Sequence, residues 1–366
     1  MAGDRGPARG DLRAGGRVRG GRWRLLLPVP LLGVAVSLIW WRGPDWTVVR
    51  DTFTVVRWPW VVVAIGLNLL SVIVRAAAWN TVIRQAIPDR RPGFPVVFSA
   101  FCVGLFGNAV LPGRVGELAR VAVLTRRFPG RRGTWATLIG TVFAHRMFDL
   151  FPTITLVVWV LFAAKLPHWA LMTLVVVLGG GLTLFAFSVI SVRSVKNRPS
   201  DGLGRVRSLL VRARVGLAVM REPVPATTAA TFQFLGWLCQ LFAVLAAMHA
   251  FRIYQPLAAA GLVLVMMNVV TVFPFWPGNV GLVQAAIAVS LAQYGVAYAR
   301  GFAFGIGLQA IEASVGIGVG TLFLAREGLS YATLKGMDSA ERGEDDSLQL
   351  GERVNDAADA RARIPG

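Results

Sequence analysis

The sequence has few charged residues for its length, and this shortage limits the class of protein that it can encode. Only 16% of its 366 residues are charged, whereas 55% are hydrophobic. A soluble domain carries about 25% charged residues, because its surface must be hydrated. A soluble globular fold is therefore excluded, and the long apolar runs predict an all-α polytopic integral membrane protein.

Cysteine and histidine are also scarce, with two and three residues respectively. Cys102 and Cys239 both lie in apolar runs, so the sequence predicts neither a disulfide framework nor a metal site. No metal-ligand spacing surrounds His145, which we interpret as a polar residue satisfied within the fold. The sequence has no catalytic motif, and we predict no catalytic residue and no cofactor.

Acidic residues are half as frequent as basic ones, 19 against 38, which gives a formal net charge of +19. Such an excess can indicate a nucleic-acid partner, but here the arginines lie in short segments between apolar runs. This placement is the positive-inside pattern of membrane proteins. We therefore predict membrane lipids as partners, no nucleic acid, and a multi-pass protein of the cell (cytoplasmic) membrane with both termini in the cytoplasm.

The chain divides into two polar tails and a long apolar region between them. Residues 1–22 are rich in Gly and Arg and predict a disordered, basic cytoplasmic tail. Residues 23–326 form the transmembrane domain, and the polar residues 327–366 predict a disordered C-terminal tail. About six full spans are predicted, over residues 25–41, 58–74, 150–164, 170–192, 226–250 and 301–324.

One stretch, Gly107 to Arg120, interrupts the apolar pattern with the sequence GNAVLPGRVGELAR. Pro112 removes a backbone donor, and Gly113 and Gly116 permit turns that other residues resist. A helix that arrives at Leu111 is therefore predicted to stop and to restart over residues 115–124.

The charge pattern predicts that this interrupted segment is a re-entrant hairpin. If residues 94–111 crossed the membrane fully, the basic segment 114–132 would lie outside, against the positive-inside pattern. A hairpin that enters and leaves on the cytoplasmic side removes the conflict. Broken backbone at membrane depth must then face protein or a wet cavity.

Charged side chains near this break are costly at membrane depth and mark a pathway or a binding site. Arg114, Arg120 and Arg146 are candidates for binding a lipid headgroup, because guanidinium offers paired donors to phosphate oxygens. Glu117 and Asp149 are candidate counter-ions, and Asp149 shares a helix face with Arg146. Internal charge compensation is the alternative role for all of these residues.

A second break repeats the first, since Pro112-Gly113-Arg114-Val115-Gly116 recurs as Pro277-Gly278-Asn279-Val280-Gly281. By the span count, the first break is entered from the cytoplasm and the second from outside. Two broken segments that enter the membrane from opposite sides are typical of inverted-repeat transporters, which have their substrate site near the bilayer midplane. We therefore predict two re-entrant or broken hairpins in an inverted-repeat arrangement, in addition to the six spans.

Three further polar residues follow the second break and are candidates to line a shared cavity, namely Gln284, Gln309 and Glu312. Gln309 and Glu312 lie about one turn apart on the last span. Proton coupling and helix packing are both open as roles for this pair. Glycine pairs on the same span, Gly301/Gly305 and Gly316/Gly320, have the spacing that permits close helix packing.

These motifs together resemble the lysylphosphatidylglycerol synthase transmembrane, or flippase-like, family. The resemblance covers most of residues 23–326 and rests on Asn108, Pro112, Arg114, Gly116, Glu117, Arg120, Arg146, Asp149, Pro277, Gly278 and Gly281. It implies a helical membrane domain that moves lipids between leaflets. Two positions depart from the family pattern, His145 where glutamate is common and Gln284 where an acidic residue often follows the second motif.

Three functions stay open at this point, and a lipid translocase for a phosphate-bearing envelope lipid or lipid carrier is preferred. The soluble aminoacyl-transfer domain of the full synthases is not expected, because only about forty residues follow the last span. A non-transporting accessory subunit of envelope lipid or glycan assembly is the first alternative. The second is a polyprenyl-phosphate-dependent membrane glycosyltransferase that uses Asp45 or Asp51, so enzymatic activity is the less favoured reading.

Overall fold

The computed structural model describes residues 44–88, 91–110, 116–127, 134–165, 222–272 and 279–327, together with five helical positions between Met172 and Thr183. The chain divides into two units, Met1–Asp45 and Trp46–Gly366. Nine continuous helices lie in the described part of the second unit, and no strand occurs there.

The helices follow one another with short connections in several places. They are α1 (Trp46–Thr54), α2 (Trp58–Ala86), α3 (Phe94–Val110), α4 (Gly116–Thr125), α5 (Thr134–Ala163), α6 (Pro223–Ala250), α7 (Leu257–Val272), α8 (Leu282–Ala292) and α9 (Tyr298–Arg326). Helices α2, α5, α6 and α9 have 28 to 30 residues each and are apolar enough to cross a membrane. A span needs about 20 residues, so these four exceed the required length.

The surface of these helices also fits a lipid environment. Large apolar side chains are strongly exposed along them, with Trp58 at 71%, Phe162 at 88% and Val224 at 72% relative exposure. Soluble monomers rarely expose apolar surface on this scale. The chain is therefore an integral membrane protein with at least these candidate spans.

Two helices are longer than the sequence pattern predicts. Helix α2 continues past the predicted end at Val74 to Ala86, and α5 begins at Thr134, well before the predicted start of its span at Leu150, and continues to Ala163. Arg75 of α2 and Arg146 and Asp149 of α5 have compensating partners, which are described below, so they do not end the helix. The predicted spans over residues 25–41 and 170–192 lie outside the described residues, apart from the positions near Met172.

The two predicted breaks separate helices that pack against each other. Helix α3 ends at Val110 and α4 begins at Gly116, while α7 ends at Val272 and α8 begins at Leu282. Helix α3 packs on α4 and α7 packs on α8, so each pair forms a helical hairpin. Gly281, just before α8, has a φ of 92°, which is the left-handed region that favours glycine.

Helix α9 packs against both hairpins, through α3 of the first and α8 of the second. Its glycines permit this contact, as their spacing predicts. A Cβ at Gly301 would lie 2.9 Å from Ala288 Cα, and one at Gly305 would lie 3.0 Å from Gln284 Cα. A Cβ at Gly320 would lie 2.5 Å from Phe106 Cβ on α3. These three glycines therefore set the distance between α9 and the two hairpins.

Candidate functional site

A cavity of about 340 Å³ lies between helices α2, α3, α4, α5, α6 and α9. Its polar and charged lining residues are Asn68, Ser71, Arg75, Asn108, Glu117, Arg120, His145, Arg146, Gln240, Gln309 and Glu312. Arg75, Gln240 and Glu312 each lie near the middle of a membrane-length helix. The cavity therefore contains charged and polar side chains at the depth where lipid would surround the outside of the protein.

Asp149 is buried beside this cavity and accepts hydrogen bonds from four side chains on three helices. Its Oδ1 accepts from Arg75 Nη2 at 2.9 Å, from Trp237 Nε1 at 3.0 Å and from the Gln233 amide. Its Oδ2 accepts from Arg146 Nη1 at 3.2 Å, one turn away on α5. A buried charge without partners is strongly destabilising, and these donors supply the compensation.

Arg75 is the main difference between the predicted and the observed site. The sequence pattern treats it as a cytoplasmic flank of a span that ends at Val74. The structure places it inside α2 with its side chain 19% exposed and lining the cavity. Its Nη1 donates to Gln240 Oε1 at 3.3 Å, and its Cζ lies 5.5 Å from the centroid of the Trp237 ring.

A glycine on α6 makes room for the Arg75 side chain. A Cβ at Gly236 would lie 2.5 Å from Arg75 Cγ, so any larger residue there would displace the arginine. The backbone carbonyl of Gly236 also accepts a hydrogen bond from Ser71 Oγ at 2.8 Å. The contact between α2 and α6 thus fixes the position of Arg75.

Glu117 joins the first hairpin to α5, because it forms ion pairs with both Arg120 and Arg146. The Arg120 side chain is only 4% exposed, and its Cζ lies 4.6 Å over the Trp79 ring. Its Nε is buried and has no hydrogen-bond partner within the described part of the chain. The Arg146 side chain is 43% exposed. Both arginines are thus paired with carboxylates and also line the cavity.

The hairpin itself depends on close backbone contact between α3 and α4. A Cβ at Gly104 would lie 2.9 Å from Gly116 O, and a Cβ at Gly116 would overlap Gly104 O. Asn108 and Gly116, which flank the first break, both line the cavity. The described residues on both sides of the first predicted break therefore line the cavity.

Helix α9 contributes Gln309 and Glu312 to the cavity wall. Glu312 Oε1 accepts a hydrogen bond from Gln240 Nε2 at 3.4 Å. Because Gln240 also accepts from Arg75, one amide connects the arginine on α2 to the glutamate on α9.

The second break is connected to the cavity through Gln284. Its Oε1 accepts from the backbone N–H of Gly281 at 2.6 Å, and its Nε2 donates to Gln309 Oε1. Gly281 directly follows the second break, and Gln309 lines the cavity. Residues that flank both predicted breaks therefore reach the same cavity, Asn108 and Gly116 by lining it and Gly281 through Gln284 and Gln309.

A second cavity, of about 290 Å³, is apolar and lies between α5, α6 and α7. It is lined by residues such as Leu156, Trp159, Phe234 and Leu241. Trp237 also lines it, although the indole Nε1 of this residue donates to Asp149. The Trp237 side chain therefore contacts both the apolar cavity and the charged network.

The structure brings together most of the predicted site residues that it describes. Those that line the cavity or bond directly to its wall are Asn108, Gly116, Glu117, Arg120, Arg146, Asp149, Gln284, Gln309 and Glu312. The predicted residues Pro112, Gly113, Arg114, Pro277 and Gly278 lie outside the described residues. Across the residues that the structure describes, no cluster of His, Cys, Asp and Glu could hold a metal ion.

Sequence reasoning missed four residues of this network: Arg75, Gln233, Trp237 and Gln240. For the three on α6 a usable signal was present. They lie at positions i, i+4 and i+7 of an apolar run, which places them on one face of a helix. For Arg75 the sequence offers no comparable local signal.

Comparison with known proteins agrees with this architecture. The family model described as "Lysylphosphatidylglycerol synthase TM region" matches residues 25–320. The UPF0104 membrane protein PH1989 of Pyrococcus horikoshii is 25% identical over 171 residues, which cover 46% of this chain and 50% of that protein. The match thus spans about half the length of this curated relative. No solved structure matches the chain significantly. Because the family model covers most of the sequence, the chain belongs to the family of the lysylphosphatidylglycerol synthase TM region.

Proposed function

We propose that the chain is a lipid translocase that moves a phosphate-bearing envelope lipid or lipid carrier between the two leaflets. The observation that carries this proposal is the arginine-lined cavity between membrane-length helices. Arg75, Arg120 and Arg146 all line it. Charged side chains at this depth are costly, and proteins that retain them there use them for a substrate path or a binding site.

A lipid phosphate suits the chemistry of this cavity. Guanidinium groups present several donors in one plane, which match the oxygens of a phosphate diester. The buried Nε of Arg120 lacks a partner among the described residues and is available as a donor. The apolar cavity on the far side of Trp237 offers a surface of the kind that an acyl or prenyl chain needs. An amphipathic ligand with an anionic head fits both features.

The proposed transport path lies between the two hairpins. We place them as re-entrant or broken elements of an inverted repeat, with about six full spans around them and both termini on the cytoplasmic side of the cell membrane. Support comes from α9, which packs against both hairpins, and from Gln284 and Gln309, which connect the second break to the cavity. In inverted-repeat transporters the substrate site lies where the repeats meet.

An accessory subunit is the second candidate, because one observation favours it. Arg120 and Arg146 are already paired with Glu117, so the charges of the site balance without a ligand. The glycosyltransferase alternative has less support. Asp51 lies exposed on α1 and forms its ion pair with the neighbouring Arg50 at 3.5 Å.

A vesicle assay separates these candidates. The purified protein is reconstituted in phosphatidylcholine vesicles that contain a trace of NBD-labelled phosphatidylglycerol, and dithionite then reduces the label in the outer leaflet. A translocase makes the protected inner pool accessible, whereas protein-free vesicles keep it protected. If the protein moves neither this lipid nor a labelled polyprenyl phosphate, the accessory role is the better account. A labelled lipid that changes its mass would instead indicate an enzyme.

A further inference from the structure

Among the described residues in and directly beside the cavity, positive and negative side-chain charges are equal in number when no ligand is bound. Three arginines contribute positive charge, and three carboxylates contribute negative charge, namely Glu117, Asp149 and Glu312. A lipid phosphate that enters the cavity adds one negative charge. An uncompensated charge is costly away from water, so the proposed substrate needs a positive charge to enter with it.

Glu312 differs from the other two carboxylates in its partners. Glu117 forms ion pairs with Arg120 and Arg146, and Asp149 is held by Arg75 and Arg146. Glu312 has no ion pair with any described residue, and its hydrogen bond comes from the neutral Gln240 amide at 3.4 Å. Of these three carboxylates it is therefore the one that can take up a proton without breaking an ion pair.

We infer that Glu312 takes up one proton when the lipid phosphate binds, so that the headgroup and the proton cross the membrane together. This inference rests on the proposed translocase function and adds its energy source. The chemistry is a single protonation, in which a carboxylate oxygen of Glu312 gains a proton on one side and loses it on the other. The proton offsets the charge of the phosphate, so the combined step is electroneutral.

Gln240 provides the physical link between the proton and the headgroup. Its Oε1 accepts from Arg75 and its Nε2 donates to Glu312, so the charge of the glutamate acts on the arginine through one polarised amide. When Glu312 is neutral, Asp149 is the carboxylate that still pairs with Arg75, and the arginine attracts the phosphate more strongly than when Glu312 is charged. Linkage requires the reverse effect as well, so a bound phosphate favours the protonated form of Glu312 by the same factor.

Besides Glu312, several ionisable groups of the described residues lie in or next to the cavity wall. They lie on α2, α4 and α5. Those that line the cavity are Arg75, Glu117, Arg120, His145 and Arg146, and Asp149 is hydrogen-bonded to Arg75 next to it. Among the described residues that line the cavity from α3 and α6, none is charged. Helix α1, which packs against α9, carries Arg50 and Asp51 at its exposed surface.

His145 is the rival proton site and serves as a control. Its Nε2 lies 3.2 Å from the carbonyl oxygen of Arg75, so a ring N–H at this position donates to that carbonyl. A protonated imidazole here would add a positive charge close to Arg75 and Arg120. Glu312 lacks this repulsion, which is why we assign the proton to it.

The test uses the vesicle assay with a pH gradient across the membrane. For one proton per anionic lipid, each pH unit shifts the steady-state distribution of NBD-phosphatidylglycerol between leaflets about tenfold. In Glu312→Gln the distribution no longer responds to the gradient, whatever exchange remains. Ser314→Ala, at an exposed position on the same helix as Glu312, keeps the wild-type rate and the tenfold response. His145→Gln alters the cavity wall and can change the rate, but whatever exchange remains keeps the tenfold response. A gradient response retained in Glu312→Gln would overturn the inference.

The outcomes for the proton and for transport are distinguishable. If the wild-type protein moves the lipid with no response to the gradient, the translocase proposal stands and the inference fails. If no lipid moves, an infrared measurement still decides the point. Adding dihexanoyl-phosphatidylglycerol to the detergent-solubilised protein is expected to increase the protonated-carboxyl band in the wild type but not in Glu312→Gln. If the protonated-carboxyl band of the wild type does not increase when the lipid is added, the inference is overturned.

Discussion

Arg75 on α2 donates to Asp149 on α5 across 2.9 Å, and both residues lie near the middle of helices that are long enough to cross a membrane. Their positions differ by 74 in the sequence. Trp237 and Gln233 on α6 donate to the same carboxylate oxygen. This contact therefore joins three of the four membrane-length helices at the cavity.

The first prediction follows from this contact. Asp149→Ala leaves Arg75 and Arg146 without their shared partner, so we expect a loss of about 3–5 kcal/mol in stability. The measurement is the thermal unfolding midpoint and the monodisperse yield in detergent. The matched control is Asp51→Ala, which removes an exposed pair on α1 and is expected to stay within about 0.5 kcal/mol of the wild type.

A double variant checks the cause of that loss. Replacing both partners with apolar residues, as in Arg75→Met with Asp149→Leu, removes the unpaired charge along with the ion pair. We expect this variant to be more stable than Asp149→Ala. If it is equally unstable, the loss comes from packing around Asp149 or from its other donors, Gln233, Trp237 and Arg146, and the unpaired charge of Arg75 is not its source.

The second prediction concerns the glycines of α9. Gly320→Ala places a Cβ 2.5 Å from Phe106 Cβ, whereas the Cβ of Gly316→Ala would lie 3.8 Å from Ala109 Cβ, an ordinary contact. The gain in helix propensity is the same for both variants, so their difference isolates the packing effect. We expect Gly320→Ala to be less stable than Gly316→Ala by about 1–3 kcal/mol, measured by thermal unfolding in detergent. Equal stability would mean that α3 and α9 are free to move apart.

The third prediction concerns topology, which the helices alone do not fix. In the re-entrant arrangement the segment around Arg131 faces the cytoplasm. A single cysteine at Arg131, in a background without Cys102 and Cys239, should resist an impermeant thiol reagent on intact cells. A cysteine at Lys165 should react with it, because the predicted span over residues 150–164 leaves the cytoplasmic side and places Lys165 outside. Labelling at position 131 from outside would rule out the hairpin.

The sequence signals for the two predicted breaks are local. Proline and glycine act on the backbone next to them, and the helices predicted on either side of the first break agree with α3 and α4, although residues 111–115 themselves lie outside the described ranges. The pairing of Arg146 with Asp149 is equally local, since both lie on one face of α5. Features that depend on a single helix were therefore accessible without the structure.

The position of the Arg75 side chain in the cavity wall could not be predicted from local sequence signals. An arginine after an apolar run is typical of a cytoplasmic flank, and only a carboxylate from a distant helix makes its burial possible. That partner, Asp149, is brought to it by the packing of α2 against α5 and α6. The role of Gly236, which leaves space for the Arg75 side chain, likewise depends on which helices become neighbours.

The central claim is that a lipid phosphate passes through the arginine-lined cavity, and the most direct test compares two arginine variants in the vesicle assay. Arg146 lines the cavity, whereas Arg127 forms an ion pair with Glu327 at 2.7 Å and does not line it. Wild type and Arg127→Ala should expose the protected NBD-phosphatidylglycerol to dithionite at similar rates. Arg146→Ala, reconstituted in equal amount, should leave that pool protected at the level of protein-free vesicles. Wild-type rates in Arg146→Ala would contradict the account.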